Sequence, residues 1–148
     1  MSLFKTSPIF QRYPQKTELW FKVAGINYNK SNLESIAIKN KTYLLSDEKL
    51  LKTGKKIVYR LHFRDLIFSM LYEPNNPHDK NAIKVMVNNV HIGYVPAELC
   101  SEIKHYISIN RIKSADISVW GGDYKESKNG HVSMLNEPYN AEVYIRLK

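Results

Sequence analysis

The clearest pattern in the chain is an alternation of apolar and other side chains just past its middle. In residues 83–87, three β-branched residues alternate with Lys84 and Met86, which predicts a strand with one face in a core. Asn88 and Asn89 follow directly, and asparagine tolerates positive φ better than other non-glycine residues. We therefore predict a tight hairpin onto a second strand, Val90 to Val95.

Only one segment has helical spacing. From Leu99 onwards, apolar residues occur at i, i+4, i+7 and i+8, which is typical of a helix with one buried face. Pro96 suits the first helical position because its missing N–H has no partner there in any case. The predicted helix spans residues 96–109.

Five further segments are rich in β-favouring residues. These predicted strands are Leu19–Gly25, Lys56–Leu61, Leu66–Tyr72, Ala115–Trp120 and Ala141–Leu147. The short gap between the second and the third suits a hairpin. Residues 27–46 are predicted to be a long loop with room for a short strand at Ser35–Ile38. The polar residues 121–140 are predicted to be a mobile loop.

Together these elements predict a mostly β fold with one main helix. Six or seven short strands would form a small, OB-like, partly open β-barrel. A sandwich is the open alternative, because alternation does not reveal strand order. The chain of 148 residues fits one domain, so we expect an N-terminal arm over residues 1–18 and a single domain over residues 19–148.

The positive charge is concentrated in the first half of the chain. Residues 1–66 hold thirteen Lys and Arg against five Asp and Glu, whereas residues 67–148 hold nine of each. An unbalanced basic surface attracts polyanions, and counterion release makes nucleic acid the usual partner. A generic basic protein is the alternative interpretation.

Several function classes lack their sequence signals. No apolar stretch approaches the roughly 18 residues that span a bilayer, so we expect no membrane partner and a cytoplasmic location, nucleoid-associated if the source is bacterial. Cys100 is the only cysteine, and the five histidines lack metal-ligand spacing, so no cofactor, metal or catalytic residue is predicted. Without a phosphate-binding loop, an ATPase or helicase motor would be a separate partner.

One segment carries a specific resemblance. Residues 72–85 read YEPNNPHDKNAIKV, residues 92–96 read IGYVP, and residues 23–28 read VAGINY. This combination resembles the HIRAN domain family. The resemblance implies an OB-like barrel that holds single-stranded DNA and captures a free 3′ end, acting in DNA repair or replication-fork processing.

The same resemblance assigns roles to individual residues. Tyr28 and His78 would stack on the terminal bases, and Trp120 would close the pocket. His78 stands where the family commonly has tyrosine, so stacking there would be weaker. Asn27 and Asn29 replace a basic and an aromatic residue of better-known members, which puts end recognition in question.

Polar residues of the same motif would hold the strand end. By resemblance, Asn76 and Asp79 would hydrogen-bond the last nucleotide and its 3′ hydroxyl, and Tyr94 or a nearby lysine such as Lys80 would approach the backbone. A carboxylate repels an internal phosphodiester but accepts a hydrogen bond from a terminal hydroxyl. Asp79 therefore favours strand-end recognition.

The motif also has a purely structural interpretation. Asx side chains cap nearby backbone amides in tight turns, so a self-bonded turn would also require Asn75, Asn76, Asp79 and Asn81. This role alone would suffice to explain Asn75 and Asn81. Tyr28 and Trp120 would equally suit ordinary half-buried packing.

The segment from about residue 30 to residue 66 is longer than in compact members of the family. It forms a basic insertion, and we hypothesise that Lys55, Lys56 and Arg60 contact phosphates there; a solvated hairpin is the alternative. RNA is an open alternative to DNA, because discrimination depends on contacts to a 2′ hydroxyl.

Two further classes of function compete with nucleic-acid binding. One is a protein-interaction or regulatory subunit built on the same barrel. The other is a nuclease in which Glu73, Asp79 and Asp116 hold Mg²⁺.

Overall fold

The structure, a computed structural model, describes residues 16–148. Residues 1–15, most of the predicted arm, therefore lie outside the described residues. The described chain contains nine strands: β1 (Glu18–Lys22), β2 (Ile38–Lys39), β3 (Ile57–Tyr59), β4 (Leu61–His62), β5 (Phe68–Tyr72), β6 (Ile83–Val87), β7 (Val90–Tyr94), β8 (Ile112–Lys128) and β9 (His131–Leu147). Its α-helices are α1 (Lys30–Ser35), α2 (Asp47–Lys52) and α3 (Ala97–Ser108), and single 3₁₀ turns cover Ile26–Asn29 and Lys41–Leu44.

The strands form three antiparallel sheets, in the orders β1-β9-β8-β3, β5-β6-β7 and β2-β4. No closed barrel is formed by the described strands, and the mostly β arrangement with one main helix is compatible with the predicted open OB-like fold. The strands outnumber the predicted six or seven because β2 and β4, with two residues each, are too short to show any alternation.

Two local predictions are confirmed. β6 and β7 pair through a turn in which Asn88 and Asn89 have φ values of 51° and 66°, the left-handed region that asparagine tolerates. Helix α3 lies within the predicted range and begins directly after Pro96.

The predicted hairpin between residues 56–61 and 66–72 is wrong. β3 pairs with β8, and β5 pairs with β6. The physical reason lies in the side chain of Val58, which is buried with Tyr43 and Leu50 in a small second core. That core fixes β3 against the distal half of β8 rather than against β5.

The prediction of a mobile loop over residues 121–140 is also wrong. β8 and β9 are single long strands that pair across this whole region, apart from an irregularity between Trp120 and Gly122. Asn129 and Gly130, with φ values of 53° and 74°, form the two-residue turn that joins them.

Residues 27–46 form short helices, turns and the two-residue strand β2 instead of the predicted long loop, and β2 overlaps the short strand predicted at Ser35–Ile38 only at Ile38. Leu33 on α1 and Tyr43 on a 3₁₀ turn are both buried. Burial of these two apolar anchors stabilises segments whose polar composition alone would favour a loop.

The main core lies between α3 and the sheets. Its fully buried members include Ile83, Val85, Ile103, Tyr106 and Val143. Cys100 is buried in the same core, as expected for a small apolar side chain. Within the described residues, no helix combines the length and the apolar character that crossing a membrane would require.

Arg111 joins the two ends of the described chain. Its guanidinium donates hydrogen bonds to the carbonyl oxygens of Lys16 and Lys148, at 3.0 and 2.8 Å. Next to it, the amide of Leu147 donates to the carbonyl of Thr17 at 2.9 Å.

Candidate nucleic-acid interface

A cleft of about 330 Å³ lies between the loop from β5 to β6, the end of β7 and the start of α3. Four residues assigned to the site from the sequence line it: Asn76, His78, Asp79 and Tyr94. Apolar residues, among them Ala24, complete its walls. The volume is at the lower end of the about 300–1,000 Å³ found for ligand sites.

Asn76 organises the turn that carries His78 and Asp79. Its Oδ1 accepts hydrogen bonds from the backbone amides of His78 (2.8 Å) and Asp79 (3.0 Å), and its Nδ2 donates to Glu73 at 2.6 Å. An Asx side chain that caps two successive amides fixes the local backbone. Of the four residues to which the turn interpretation applied, Asn76 and Asp79 are the ones whose side chains accept from backbone amides. Both lone pairs of the Asn76 oxygen are already used.

Asp79 is half-buried in the wall of the cleft. Its Oδ1 accepts a hydrogen bond from the amide of Asn81 at 2.8 Å, and its backbone carbonyl accepts from Ala82 at 3.1 Å. Its Oδ2 has no hydrogen bond or ion pair with any residue in the described part of the chain. The carboxylate is therefore held by one oxygen while the other can accept a ligand donor.

Glu73 connects the turn to the β6-β7 hairpin behind the cleft. Its carboxylate pairs with Lys84 at 2.9 Å and accepts hydrogen bonds from Asn76 and from the Tyr94 hydroxyl at 2.9 Å. Hydrogen bonds from Lys84, Asn76 and Tyr94 lower the pKa of Glu73 from 4.5 to about 2. Glu73 thus stays ionised and keeps the aromatic wall, Tyr94, in one orientation.

Gly93 allows the two sides of the cleft to approach each other. Ala24 and Tyr94 exchange backbone hydrogen bonds of 2.8 and 2.9 Å. A Cβ at position 93 would lie 2.5 Å from the Ala24 carbonyl oxygen and would also overlap the side chain of Val23. Only glycine fits this close approach of two backbones.

The predicted stacking residues differ in their surroundings. Tyr28, on the turn that follows Ala24, is 94% exposed, so half-buried packing does not explain it. His78 is exposed at the cleft. Trp120 is half-buried in β8 opposite Asn140 and is not among the residues that line the cleft.

The predicted basic residues are divided between the cleft and the insertion. Lys80 is exposed on the turn beside Asp79. Lys55 and Lys56 lie on the exposed segment before β3, where Lys56 lines a separate cleft of about 440 Å³ near the β8-β9 turn. Arg60 pairs with Glu34 at 3.4 Å and Asp123 at 3.2 Å, so much of its charge is already balanced.

The side chains that line the cleft were predicted from the sequence, but the residues that support them were not. Glu73 was considered only as a Mg²⁺ ligand, although its position before the turn and the alternation that puts Lys84 and Tyr94 on one sheet face could have indicated the cluster. Lys104 on α3 was also missed; its ammonium donates to Asn81 at 3.4 Å and lies 4.9 Å from the ring centre of Tyr72.

The three carboxylates considered for Mg²⁺ do not form a metal site. Among residues 16–148, no group of three or more His, Cys, Asp or Glu side chains is placed to hold a metal ion. Glu73 is already occupied by Lys84, and Asp116 is exposed on β8 opposite Tyr144.

Comparison with known proteins gives one match. The family model described as HIRAN domain matches residues 18–148. No curated protein and no solved structure shows significant similarity to the chain.

Proposed function

Because the chain belongs to the HIRAN domain family, whose members are generally nucleic-acid-binding domains, we propose that it binds single-stranded DNA and receives the free 3′ end in the cleft. The observation that supports this most directly is the convergence of His78, Asp79 and Tyr94 on one cleft. The wider role proposed is DNA repair or replication-fork processing, together with a separate motor protein.

Asp79 is the proposed acceptor for the 3′ hydroxyl. Its Oδ1 is held by the amide of Asn81, so Oδ2 meets a ligand without losing an internal hydrogen bond. A hydroxyl donor is favourable there, whereas a phosphate would bring two negative charges together in a partly desolvated cleft. The carboxylate therefore discriminates between a strand end and a continuous backbone.

Tyr28 and His78 are the proposed stacking surfaces. A ring as exposed as that of Tyr28 gains by covering its face with a base, and base-aromatic stacking contributes about 1–3 kcal/mol per base without demanding a sequence. Asn76 acts by shaping the turn beneath His78 and Asp79. Trp120 is proposed to contact the strand outside the cleft.

Phosphate contacts come from two surfaces in this proposal. Lys80 neutralises the phosphate nearest to the cleft, while Lys55 and Lys56 attract the upstream part of the strand. Arg60 contributes less, since Glu34 and Asp123 already balance its charge. Counterion release at these lysines makes the affinity fall with salt.

The test is a fluorescence-anisotropy titration of labelled single strands that end in a 3′ hydroxyl or a 3′ phosphate, at low and high salt. We expect tighter binding of the 3′-hydroxyl strand and weaker binding of both at high salt. Equal binding of both ends leaves a general electrostatic binder and refutes end recognition. Absence of binding favours the protein-interaction subunit, and equal affinity for RNA removes the preference for DNA.

Two variants separate end recognition from general attraction. Loss of a hydrogen bond to a charged group costs about 1.5–3 kcal/mol, so Asp79→Ala should weaken binding of the 3′-hydroxyl strand by roughly 10- to 100-fold and abolish the preference over 3′ phosphate. Lys55→Ala should weaken both strands equally. Asp116→Ala, which removes an exposed carboxylate from β8, is the matched control and should leave the preference unchanged.

A further inference from the structure

Among residues 16–148, the distal half of β9 is an open sheet edge. Residues 131–137 pair with β8 on one side, whereas β1 covers only residues 142–146 on the other. No strand within residues 16–148 pairs with the outer side of residues 131–137. This edge presents backbone donors and acceptors to an incoming strand.

The backbone hydrogen bonds of β8 show which backbone groups of β9 face outwards. On the far side of β8, the carbonyl of Asp123 and the amide of Ser127 bond to Arg60 and Lys56, so the odd-numbered residues of this half of β8 face β3. The even-numbered ones face β9, which agrees with the Lys128–His131 pair that closes the two-residue turn. In β9, the backbone groups of Val132, Met134 and Asn136 therefore point away from the sheet.

This edge lacks lysine, proline and a β-bulge, three of the usual protections against strand addition; α2 packs against it only through Val132 on one face. Between His131 and Pro138 the sequence has no lysine, arginine or proline, and the pairing with β8 has no irregularity there. Met134 is 73% exposed and Leu135 is 41% exposed. Long edges with exposed apolar side chains and without lysine or proline are the ones that pair with another chain.

We propose that this edge pairs with the same edge of a second copy of the chain, antiparallel and centred on Met134. In that register Met134 faces its own counterpart, and Val132 faces Asn136 in both directions. Each of these pairs is of the hydrogen-bonded type, which gives about six backbone hydrogen bonds. The result is an isologous dimer with one continuous sheet.

The ends of the strand favour this register. Centring on Met134 places His131 opposite Glu137 of the partner subunit at both ends of the pairing. Tyr59 donates a hydrogen bond to Oε1 of Glu137 at 2.5 Å, which leaves Oε2 to accept from the imidazole N–H of His131. A register centred on Ser133 instead places Glu137 opposite Asn129 and loses both contacts.

Sedimentation velocity over a concentration series tests whether the dimer exists. The wild-type protein should show a reversible monomer–dimer equilibrium. Met134→Arg should raise the dimer dissociation constant at least tenfold. Leu71→Arg, on the edge strand β5 and also exposed, is the matched control and should leave it unchanged. A wild type that stays monomeric throughout, or a dimer disrupted by Leu71→Arg and not by Met134→Arg, overturns the proposal.

Cysteine cross-linking tests the register. Facing copies of residue 134 would have Cα atoms about 5.5 Å apart, within disulfide range. Copies of residue 133 would be roughly 8 Å apart, since they are offset by two residues along neighbouring strands, which is beyond that range. Under mild oxidation Met134→Cys should form a covalent dimer and Ser133→Cys should not, with native Cys100 buried in both. The reverse result, or equal cross-linking of the two variants, contradicts the proposed pairing.

Discussion

The substitution Gly93→Ala tests how closely the two walls of the cleft must approach. The added Cβ would lie 2.5 Å from the carbonyl oxygen of Ala24, much closer than any ordinary contact. Because the neighbouring atoms are backbone and a buried valine, they cannot move aside independently. β7 and the segment that carries Ala24 must separate.

The cost follows from two contributions. Forcing an extra methyl into a packed site costs about 1–3 kcal/mol. Losing the two hydrogen bonds between Ala24 and Tyr94 costs about 0.5–1.5 kcal/mol each. The free energy of unfolding should therefore fall by about 2–6 kcal/mol, a large part of the about 5–15 kcal/mol typical of a domain.

Urea unfolding followed by circular dichroism measures this change. Gly54→Ala is the control, because no atom lies within 4 Å of its added Cβ, although Gly54, unlike Gly93, has a positive φ of 72°. Its expected cost is only the about 1–2 kcal/mol of a left-handed alanine. Gly93→Ala should also weaken binding of the 3′-hydroxyl strand after correction for the folded fraction, since Ala24 and Tyr94 line the cleft.

Two results would refute this reasoning. In one, Gly93→Ala is no less stable than Gly54→Ala. In the other, Gly93→Ala is destabilised as expected, but its folded fraction binds the 3′ end with wild-type affinity. The second result would mean that the separation of Ala24 and Tyr94 does not control the cleft.

Three further predictions concern hydrogen bonds near the site and on the hairpin. The pKa of Glu73 falls from 4.5 to about 2 on folding, chiefly through Lys84, so its stabilisation is complete above pH 4.5 and is lost as the pH falls through 2. The difference in the free energy of unfolding between wild type and Glu73→Gln, measured by urea unfolding, should become smaller as the pH falls over that range. Burial and then a hydrogen bond to Glu137 raise the pKa of Tyr59 from 10.0 to about 12, so its stabilisation is complete below pH 10 and is lost as the pH rises through 12. The difference in the free energy of unfolding between wild type and Tyr59→Phe should become smaller as the pH rises over that range. Asn76→Ala removes the acceptor for two backbone amides and should cost about 1–3 kcal/mol, with weaker binding of the 3′-hydroxyl strand in anisotropy titrations.

Each of these has a result that contradicts it. A difference for Glu73→Gln that stays constant from pH 5 to pH 2 would mean that the carboxylate is not held by its partners. A difference for Tyr59→Phe that is unchanged between pH 9 and pH 12 would exclude the bond to Glu137. Wild-type binding by Asn76→Ala would mean that the turn forms without its side-chain cap.

Local signals in the sequence sufficed where one element determines its own conformation. The β6-β7 hairpin and α3 were predicted because alternation, an Asn-Asn turn and Pro96 act over a few residues. The β8-β9 turn carried an equally local signal, since Asn129-Gly130 is a preferred dipeptide for two-residue hairpins. The polar composition of the surrounding residues obscured it and suggested a loop.

The pairing of strands that are distant in the chain could not be predicted from the sequence. β3 pairs with β8 because Val58 is buried with Tyr43 and Leu50, and nothing within a single strand reveals such a partner. The resemblance selected the turn that lines the cleft, whereas the roles of Glu73 and Gly93 depend on contacts with other strands. Those contacts become visible only once the sheets are assembled.

Arg111 joins the two ends of the described chain by hydrogen bonds, and this arrangement has a mechanical consequence. Because β1 and β9 are antiparallel and Glu18 faces Arg146, the first residues of one strand lie beside the last residues of the other. A force that pulls these ends apart would open the ladder one bond at a time, as a zipper opens, instead of shearing all bonds together. Optical-trap extension from residues 16 and 148 should therefore give a lower rupture force than extension by a force applied parallel to β8 and β9, which loads all the bonds between them at once.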